Sequence, residues 1–220
     1  MAVVAMLIFL RTTMHRDSVD EAQLYAGAIF FGIISIMFNG YAELSMMIIR
    51  LPVFYRQRDS LFFPTWCYIV STWILSIPIS IVATTTWCII TYYTIGFAPN
   101  VSRFFKQLFI FFWFHQVATS LFRIIAGVCR SMVLSNTGGT FSLLVVFALG
   151  GFIIQKPDIK PWWIWGYWIS PLTYAQNGAM VNEFLAPQWN VFTPGSTVLL
   201  GRQYLKSAGL SPHENCCSSG

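Results

Sequence analysis

The sequence predicts an all-α membrane protein, a polytopic helical bundle of about five spans, the first one partial, plus Trp-rich re-entrant helices. Two features indicate this class. Hydrophobic residues make up 56% of the 220 residues and charged residues only 10%, whereas a soluble domain carries about 25% charged residues. Residues 60–100 also contain no charged residue, and an uncharged apolar run longer than about 18 residues is typical of a membrane-spanning helix.

The apolar runs alternate with short charged stretches. Residues 1–10 are too few to cross about 30 Å of hydrocarbon, so we interpret them as the second half of a span. The complete spans are predicted at residues 24–49, 60–100, 103–128 and 131–155. In the second of these, Pro64 marks the start, Pro78 should kink the helix, and the turn signal at residues 96–100 closes it.

Two spans contain ionisable side chains. Asn39 and Glu43 lie four residues apart and so share one helix face. A carboxylate at membrane depth usually faces protein or water, although Glu43 could equally lie at the interface near the span end. His115 could belong to a proton relay or substrate path. A hydrogen-bonded structural role is favoured, because no acidic residue lies three or four positions away.

Residues 136–140, which read Asn-Thr-Gly-Gly-Thr, occupy the first turns of the last predicted span. Polar and flexible residues are unusual in a helix that only faces lipid, which favours a lining role. Small residues also allow close helix packing, and the two interpretations are compatible.

Four tryptophans and one tyrosine fall within residues 162–168, which is typical of an interfacial aromatic belt. By hydropathy, residues 161–182 could form another full span. Pro171, Gln176 and Asn177 instead favour helices that lie at, or dip into, the membrane surface. We therefore assign residues 1–190 to one membrane domain and residues 191–220 to a polar, loose tail.

The sequence contains no phosphate loop, no zinc-protease motif and no nucleophile elbow. We therefore predict no catalytic residues, no metal ligands and no enzyme activity. The net charge of +5 is spread along the chain, so nucleic acid is not an expected partner. A proton-coupled carrier is a distant possibility, because Glu43 has no second intramembrane acid.

Eight ordered stretches together resemble one family, and they cover roughly residues 1–190. They lie at residues 37–45, 53–59, 73–78, 92–97, 103–107, 147–152, 162–171 and 182–185. The chain resembles the transmembrane domain of G-subfamily ATP-binding cassette exporters. It is most similar to the first membrane domain of plant full-size transporters of the pleiotropic-drug-resistance type.

The resemblance implies six spans, of which this chain enters the first halfway and lacks the sixth. It also implies a nucleotide-binding domain outside this chain, which would carry ATP and Mg, and a second membrane domain. The Trp-rich segment would form external re-entrant helices. A cytoplasmic coupling segment would touch the nucleotide-binding domain, with candidates Arg50, Phe54, Tyr55, Arg56, Arg58 and Asp59.

The resemblance further implies that the second and fifth spans line a central substrate path. Carried onto this sequence, the candidates are Phe31, Phe38 and Asn39 on one wall, Asn136, Thr140 and Phe141 on the other, and Phe152 near the upper gate. Phe rings supply apolar stacking area, and Asn or Thr supplies a few orienting hydrogen bonds.

The function implied is the membrane-spanning part of an ATP-driven exporter of hydrophobic small molecules. The chain would be a multi-pass protein of the lipid bilayer, in the plasma membrane, without a cofactor of its own. The alternative is a truncated, non-transporting membrane protein that associates with or modulates full-length relatives, or has no role. Upstream and downstream transcript sequence would distinguish the two.

Overall fold

The computed structural model describes residues 19–97, 100–150, 160–190 and 199–210, and these residues form helices joined by short connections. The α-helices are α1 Val19–Asp59, α2 Thr65–Ile95, α3 Val101–Cys129, α4 Met132–Ala148, α5 Ile164–Ile169, α6 Pro171–Phe184 and α7 Leu200–Ser207. Two 3-10 helices, Pro161–Trp163 and Pro187–Trp189, precede α5 and follow α6. The predicted all-α class is confirmed.

Three helices in the described part of the chain, α1, α2 and α3, are long and apolar enough to cross a membrane. Helix α4 is apolar but has only 17 residues, which corresponds to about 25 Å. It ends before the predicted boundary at residue 155. The chain is therefore an integral membrane protein, and the predicted partial span at residues 1–10 lies outside the described residues.

Helix α1 is longer than its predicted span. It has 41 residues and continues through Pro52 to Asp59, a length of about 60 Å, or twice the hydrocarbon thickness. The charged end is therefore a helical extension of the span and not a separate loop. Phe54 stabilises this extension, because its buried ring lies 4.5 Å from that of Tyr68 and 6.4 Å from that of Phe63.

Helix α2 has the boundaries that the sequence predicts. Pro64 precedes its first turn, and the helix continues through Pro78. At its end Gly96 adopts a left-handed conformation with φ 76°, which a residue with a Cβ adopts only at a cost. Asn100 then caps α3 by accepting a hydrogen bond from Ser102 N at 3.0 Å.

The interface between α1 and α3 forms the centre of the bundle. Ile33 and Met37 of α1 and Phe111 and Phe122 of α3 are almost completely buried there. Gly40 brings the two backbones together, since a Cβ at this position would lie 3.0 Å from Ala118 Cβ and 3.2 Å from Thr119 N. Small residues at such crossings allow helices in lipid to make extensive van der Waals contact.

The Trp-rich segment does not form one continuous span. Helix α5 has 6 residues and α6 has 14, and Ser170 between them has an extended backbone with Pro171 as the next residue. Neither helix reaches the roughly 20 residues that a span requires. This break agrees with the preference for short helices, while their dipping into the membrane stays a prediction.

The region predicted as a loose tail contains a packed helix. In α7, Leu200, Tyr204 and Leu205 are buried, and the Tyr204 ring lies 4.7 Å from that of Phe184. Residues 199–210 therefore differ from the prediction, because three apolar side chains on one face of a short helix find a partner on α6. Residues 191–198 and 211–220 lie outside the described residues.

Arg103 joins α6 to the start of α3. Its guanidinium donates hydrogen bonds to the backbone oxygens of Asn182 and Leu185. The Asn182 side chain returns a hydrogen bond to Arg103 O at 3.0 Å. A cation at the carbonyl end of a helix also interacts favourably with its dipole, so this contact holds α6 in place beside the bundle.

Candidate functional site

Helices α1 and α4 meet along the residues that the sequence analysis assigns to the two walls. The Tyr41 hydroxyl donates a hydrogen bond to Asn136 O at 3.3 Å and lies 3.4 Å from Thr140 Oγ1. The Phe38 ring packs edge-on against Phe147, with centroids 6.1 Å apart. We call the surface formed by Phe38, Tyr41, Thr140 and Phe147, together with the exposed Asn39 that follows Phe38 on α1, the α1–α4 face.

Gly139 allows this contact. A Cβ at Gly139 would lie 2.8 Å from both Tyr41 Cε2 and Leu44 Cδ1, so a larger residue would have to displace one of these two side chains. The glycine therefore serves close packing, and the neighbouring Thr140 is exposed. Of the two interpretations of residues 136–140, close helix packing is seen at Gly139, while a lining role stays a prediction.

The α1–α4 face is open. The side chain of Phe38 is 43% exposed, and Asn39 and Thr140 are exposed as well. Aromatic area beside a few amide and hydroxyl groups is the usual composition of a small-molecule site. The face could therefore hold an apolar ligand by ring contacts and orient it with the Asn39 amide and the Thr140 hydroxyl.

Two other predicted path residues, Phe31 and Phe141, form no part of this face. Phe31 is half-buried and its ring lies 6.5 Å from that of Trp87, on α2. Phe141 is on α4 and is 68% exposed. Phe152 lies outside the described residues.

Tyr41 and Phe147 were not predicted as site residues, although they link the two walls. Both belong to stretches that carry the family resemblance, at residues 37–45 and 147–152. Spacing also offers a signal, because Tyr41 lies three residues after Phe38 and Phe147 lies seven after Thr140, which places each pair on one helix face.

Glu43 faces protein. Its Oε2 accepts a hydrogen bond from Arg123 Nη2 of α3 at 3.0 Å, with side-chain exposures of 33% for Glu43 and 15% for Arg123. His115 is buried in α3, and its Nδ1 has no hydrogen-bond partner among the described residues. The favoured hydrogen-bonded role is therefore not seen at this nitrogen, although the burial fits a structural residue.

The predicted coupling segment combines anchored and exposed side chains. Phe54 is buried against α2 and the α1–α2 connection, whereas Arg50, Arg56 and Arg58 are exposed. Asp59 accepts hydrogen bonds from Arg58. The segment therefore offers a cationic surface on a helix whose position is fixed from inside.

Tyr55 connects this segment to the beginning of α4. The Arg130 guanidinium lies 5.5 Å from the centroid of the Tyr55 ring, and that of Arg58 lies at 5.1 Å, both within cation–π range. Arg130 ends α3 in a left-handed conformation, and Ser131 caps α4 by accepting from Leu134 N. A displacement of the α1 end would thus act on the connection that leads into α4.

Comparison with known proteins gives consistent similarities. The profile of the ABC-2 type transporter family matches residues 1–184. The chain is 50% identical to pleiotropic drug resistance protein 1 of Nicotiana tabacum over 212 residues. This match covers 96% of the chain and 15% of the tobacco protein. It is 52% identical to ABC transporter G family member 36 of Arabidopsis thaliana over 208 residues, a match that covers 94% of the chain and 14% of the Arabidopsis protein.

A rice protein, ABC transporter G family member 37 of Oryza sativa subsp. japonica, is 52% identical over 210 residues, with 96% of this chain and 14% of the relative covered. The chain thus spans about one seventh of the length of these relatives. The matched residues include both sides of the α1–α4 face and the coupling segment. With its apolar helices and this match over most of its length, the chain belongs to the ABC-2 type transporter family as a membrane-domain segment.

Proposed function

We propose that the chain forms one half of the substrate path in an ATP-driven exporter of hydrophobic small molecules. The observation that carries this proposal is the open α1–α4 face, where Phe38, Asn39 and Thr140 are exposed beside a close helix contact at Gly139. An apolar surface with few polar groups favours lipophilic ligands and selects among them weakly. The names of the relatives, which include pleiotropic drug resistance proteins, agree with such a role.

In this proposal a second membrane domain supplies the other half of the path, and a nucleotide-binding domain outside this chain binds ATP with Mg and hydrolyses it. The chain's own residues bind substrate and transmit motion, and none of them acts catalytically. The cationic surface at Arg56 and Arg58 faces the nucleotide-binding domain. The complete transporter resides in the plasma membrane.

Transmission starts at the end of α1. A push on the exposed arginines moves a helix that is continuous with the wall residues Phe38 and Asn39. The same push reaches the opposite wall through Tyr55 and Arg130, since Arg130 immediately precedes the cap of α4. One displacement of the α1 end would thus move both walls of the α1–α4 face, as a switch between inward-facing and outward-facing states requires.

The first test replaces both Phe38 and Asn39 by Ala in a chimaera in which this chain substitutes the matching segment of the tobacco relative. We expect export of hydrophobic fluorescent dyes to fall about tenfold for some dyes and less for others, because losing roughly 1.4 kcal/mol of contact changes affinity by one power of ten. Dye efflux from yeast cells measures the effect.

Trp73→Ala is the matched control, since Trp73 is an exposed aromatic residue on α2, away from the α1–α4 face. It should leave export and dye preference unchanged. If the Phe38 and Asn39 double variant exports every dye as the unmodified chimaera does, the face is not the substrate path. A chimaera that reaches the membrane and exports nothing at all would favour a non-transporting role for this chain.

A second test concerns transmission. Tyr55→Ala should lower the amount of dye exported per ATP hydrolysed about threefold, because an exposed cation–π contact contributes roughly 0.5–1 kcal/mol. Tyr55→Phe keeps the aromatic ring and should retain most of the ratio. Purified chimaera in proteoliposomes allows transport and phosphate release to be measured together.

Tyr93→Ala serves as the control, because Tyr93 is an exposed tyrosine near the last turn of α2, whereas Tyr55 lies near the α1–α2 connection, where α2 begins. Equal losses in Tyr55→Phe and Tyr55→Ala would mean that the ring contact with Arg130 does not transmit the motion. An unchanged ratio in Tyr55→Ala would have the same meaning.

A further inference from the structure

Three polar side chains lie together in the middle of α3. His115 and Gln116 are consecutive, and Thr119 follows one helical turn later, four residues after His115 and three after Gln116. Side chains at these spacings are neighbours on a helix surface, with Cβ atoms about 5–6 Å apart. All three residues are buried, with exposed fractions of 7%, 6% and 1% in chain order. We call them the α3 polar cluster.

The α3 polar cluster lies at the centre of the membrane. Helix α3 spans Val101–Cys129, so His115 is at its midpoint, about 21 Å from either end. The bilayer core contains no bulk water that could hydrogen-bond a polar group, and an unpaired polar group is therefore costly there. The partners of the cluster have to come from protein or from a bound molecule.

Among the described residues, protein supplies too few partners. His115 Nδ1 and both amide atoms of Gln116, Oε1 and Nε2, have none. The Thr119 hydroxyl donates to Gln116 O at 3.0 Å, and its oxygen can still accept. Arg123, one turn further along α3, donates to Glu43 at 3.0 Å. The cluster thus combines an unpaired amide donor with acceptors on two neighbouring side chains.

Helices α1 and α2 pack beside the cluster. On the α1 side, a Cβ at Gly40 would lie 3.2 Å from Thr119 N. On the α2 side, Phe112 lines a groove together with Thr84 of α2, and Gln116 lies four residues after Phe112, on the same row of α3. Thr84 is 2% exposed, and its hydroxyl also has no partner in the described part of the chain. Helix α2 therefore adds a further unpaired group near this contact.

We propose that the α3 polar cluster binds internal water, with at least one molecule held between His115, Gln116 and Thr119. The Gln116 amide donates to the water oxygen, and the water donates to Thr119 Oγ1 and to His115 Nδ1. One donor and two acceptors match a water molecule, since buried waters in proteins make about three hydrogen bonds.

Charge and burial identify water as the occupant. The charged groups next along α1 and α3, Glu43 and Arg123, already neutralise each other, so the site does not call for an ion. The near-complete burial of the cluster keeps a bulky apolar ligand out. The binding is independent of the proposed export function, because the cluster shares no residue with the α1–α4 face or with the coupling segment.

The first test is X-ray radiolytic labelling of the full chain in lipid nanodiscs, read by mass spectrometry. Irradiation splits water molecules where they are bound, and the resulting hydroxyl radicals oxidise the side chains in contact with them. We expect oxidation of His115 although it is buried. Phe184 is the matched control, because this ring is also buried and packs between the rings of Trp189 and Tyr204, and it should stay unmodified. Oxidation of His115 no greater than that of Phe184 would overturn the proposal.

The second test measures unfolding in mixed micelles. Gln116→Met keeps the length of the side chain but removes both amide groups. We expect the equilibrium constant for unfolding to rise about tenfold, because the water loses its donor and the remaining buried groups become unpaired. An unchanged or smaller constant would contradict the proposal, since without bound water the methionine removes two unpaired polar atoms and stabilises the chain. If the variant does not fold, the labelling of the unmodified chain decides.

Coupling between the residues separates shared water from a general loss of packing. The variant that carries both His115→Phe and Gln116→Met should unfold less readily than the product of the two single fold-changes predicts, because both changes remove the same water. Thr91→Val is the matched control. Thr91 is buried in α2, but its hydroxyl already donates to Trp87 O at 2.8 Å, so its effect should multiply with that of Gln116→Met. Multiplying effects of the His115 and Gln116 changes would refute a shared water.

Discussion

Replacing Gly40 by isoleucine is expected to destabilise the chain by about 3 kcal/mol, the upper end of the usual cost of overpacking. The reason is geometric. A Cβ at Gly40 would lie 3.2 Å from Thr119 N and 3.3 Å from the Ala118 carbonyl carbon. Backbone atoms cannot rotate away as a side chain can, so α1 and α3 must separate. Thermal unfolding followed by tryptophan fluorescence should show a midpoint lowered by roughly 6–12 °C.

Gly127→Ile is the matched control. Gly127 is also a helical glycine, on α3, but nothing lies within 4 Å of a Cβ built there. Isoleucine has a better helix propensity than glycine by a few tenths of a kcal/mol, so this variant should be unchanged or slightly more stable. An equal loss in the two variants would mean that the contact between the helices at Gly40 does not determine stability.

Glu43→Gln is expected to destabilise the chain by about 2 kcal/mol. Removing one partner of a fully buried ion pair costs about 3–5 kcal/mol because the other charge remains unpaired. The expected cost is lower than this range because the Glu43 side chain is 33% exposed, and solvent screens the attraction between exposed charges. Arg123 has a side-chain exposure of only 15% and would lose its ionic acceptor inside an apolar bundle, where water compensates poorly.

A double-mutant cycle measures this pair. Arg123→Gln alone should cost about as much as Glu43→Gln, and the variant carrying both changes should cost about 1–2 kcal/mol less than the sum of the two. Unfolding in mixed micelles gives the four free energies. Strict additivity would contradict the ion pair, because independent sites add.

The boundaries of the long helices follow largely from the sequence. An uncharged run cannot expose its backbone to hydrocarbon and must be helical there. Pro64 and Gly96 then delimit α2, since one restricts the preceding turn and the other accepts the left-handed conformation at the helix end. Pro78 did not end the helix, because proline inside a membrane helix is tolerated when neighbours satisfy the backbone.

Two differences between the predicted and the observed helices have their cause in tertiary packing. The sequence analysis ends the first complete span at residue 49, and Pro52 just beyond it removes one backbone hydrogen bond. Helix α1 nevertheless continues, because Phe54 beyond the proline is buried against Tyr68. Likewise, the average composition of residues 191–220 is polar, yet α7 buries Leu200, Tyr204 and Leu205, and the Tyr204 ring packs against that of Phe184.

For the candidate substrate path, too, the sequence named residues and only the structure showed which of them contact each other. The resemblance named Phe38, Asn39, Asn136 and Thr140, but only the structure shows that Tyr41 of α1 contacts Asn136 and Thr140 and that Phe38 contacts Phe147 of α4. Only the structure separates Phe31 from this group by packing it beside Trp87. Spacing places Phe31 and Phe38 on one side of α1, seven residues apart, but it does not say which helix lies beside each turn.

By itself, the sequence determined that this protein consists of membrane-spanning helices, where α2 and α3 begin and end, and which residues are polar within lipid. These properties depend on the local balance between side-chain solvation and backbone hydrogen bonding. The tertiary structure decided which helix each polar residue meets, as in the pair of Glu43 with Arg123. It also decided where glycine brings two helices into contact, because such contacts join residues about 80–100 positions apart, beyond any local pattern.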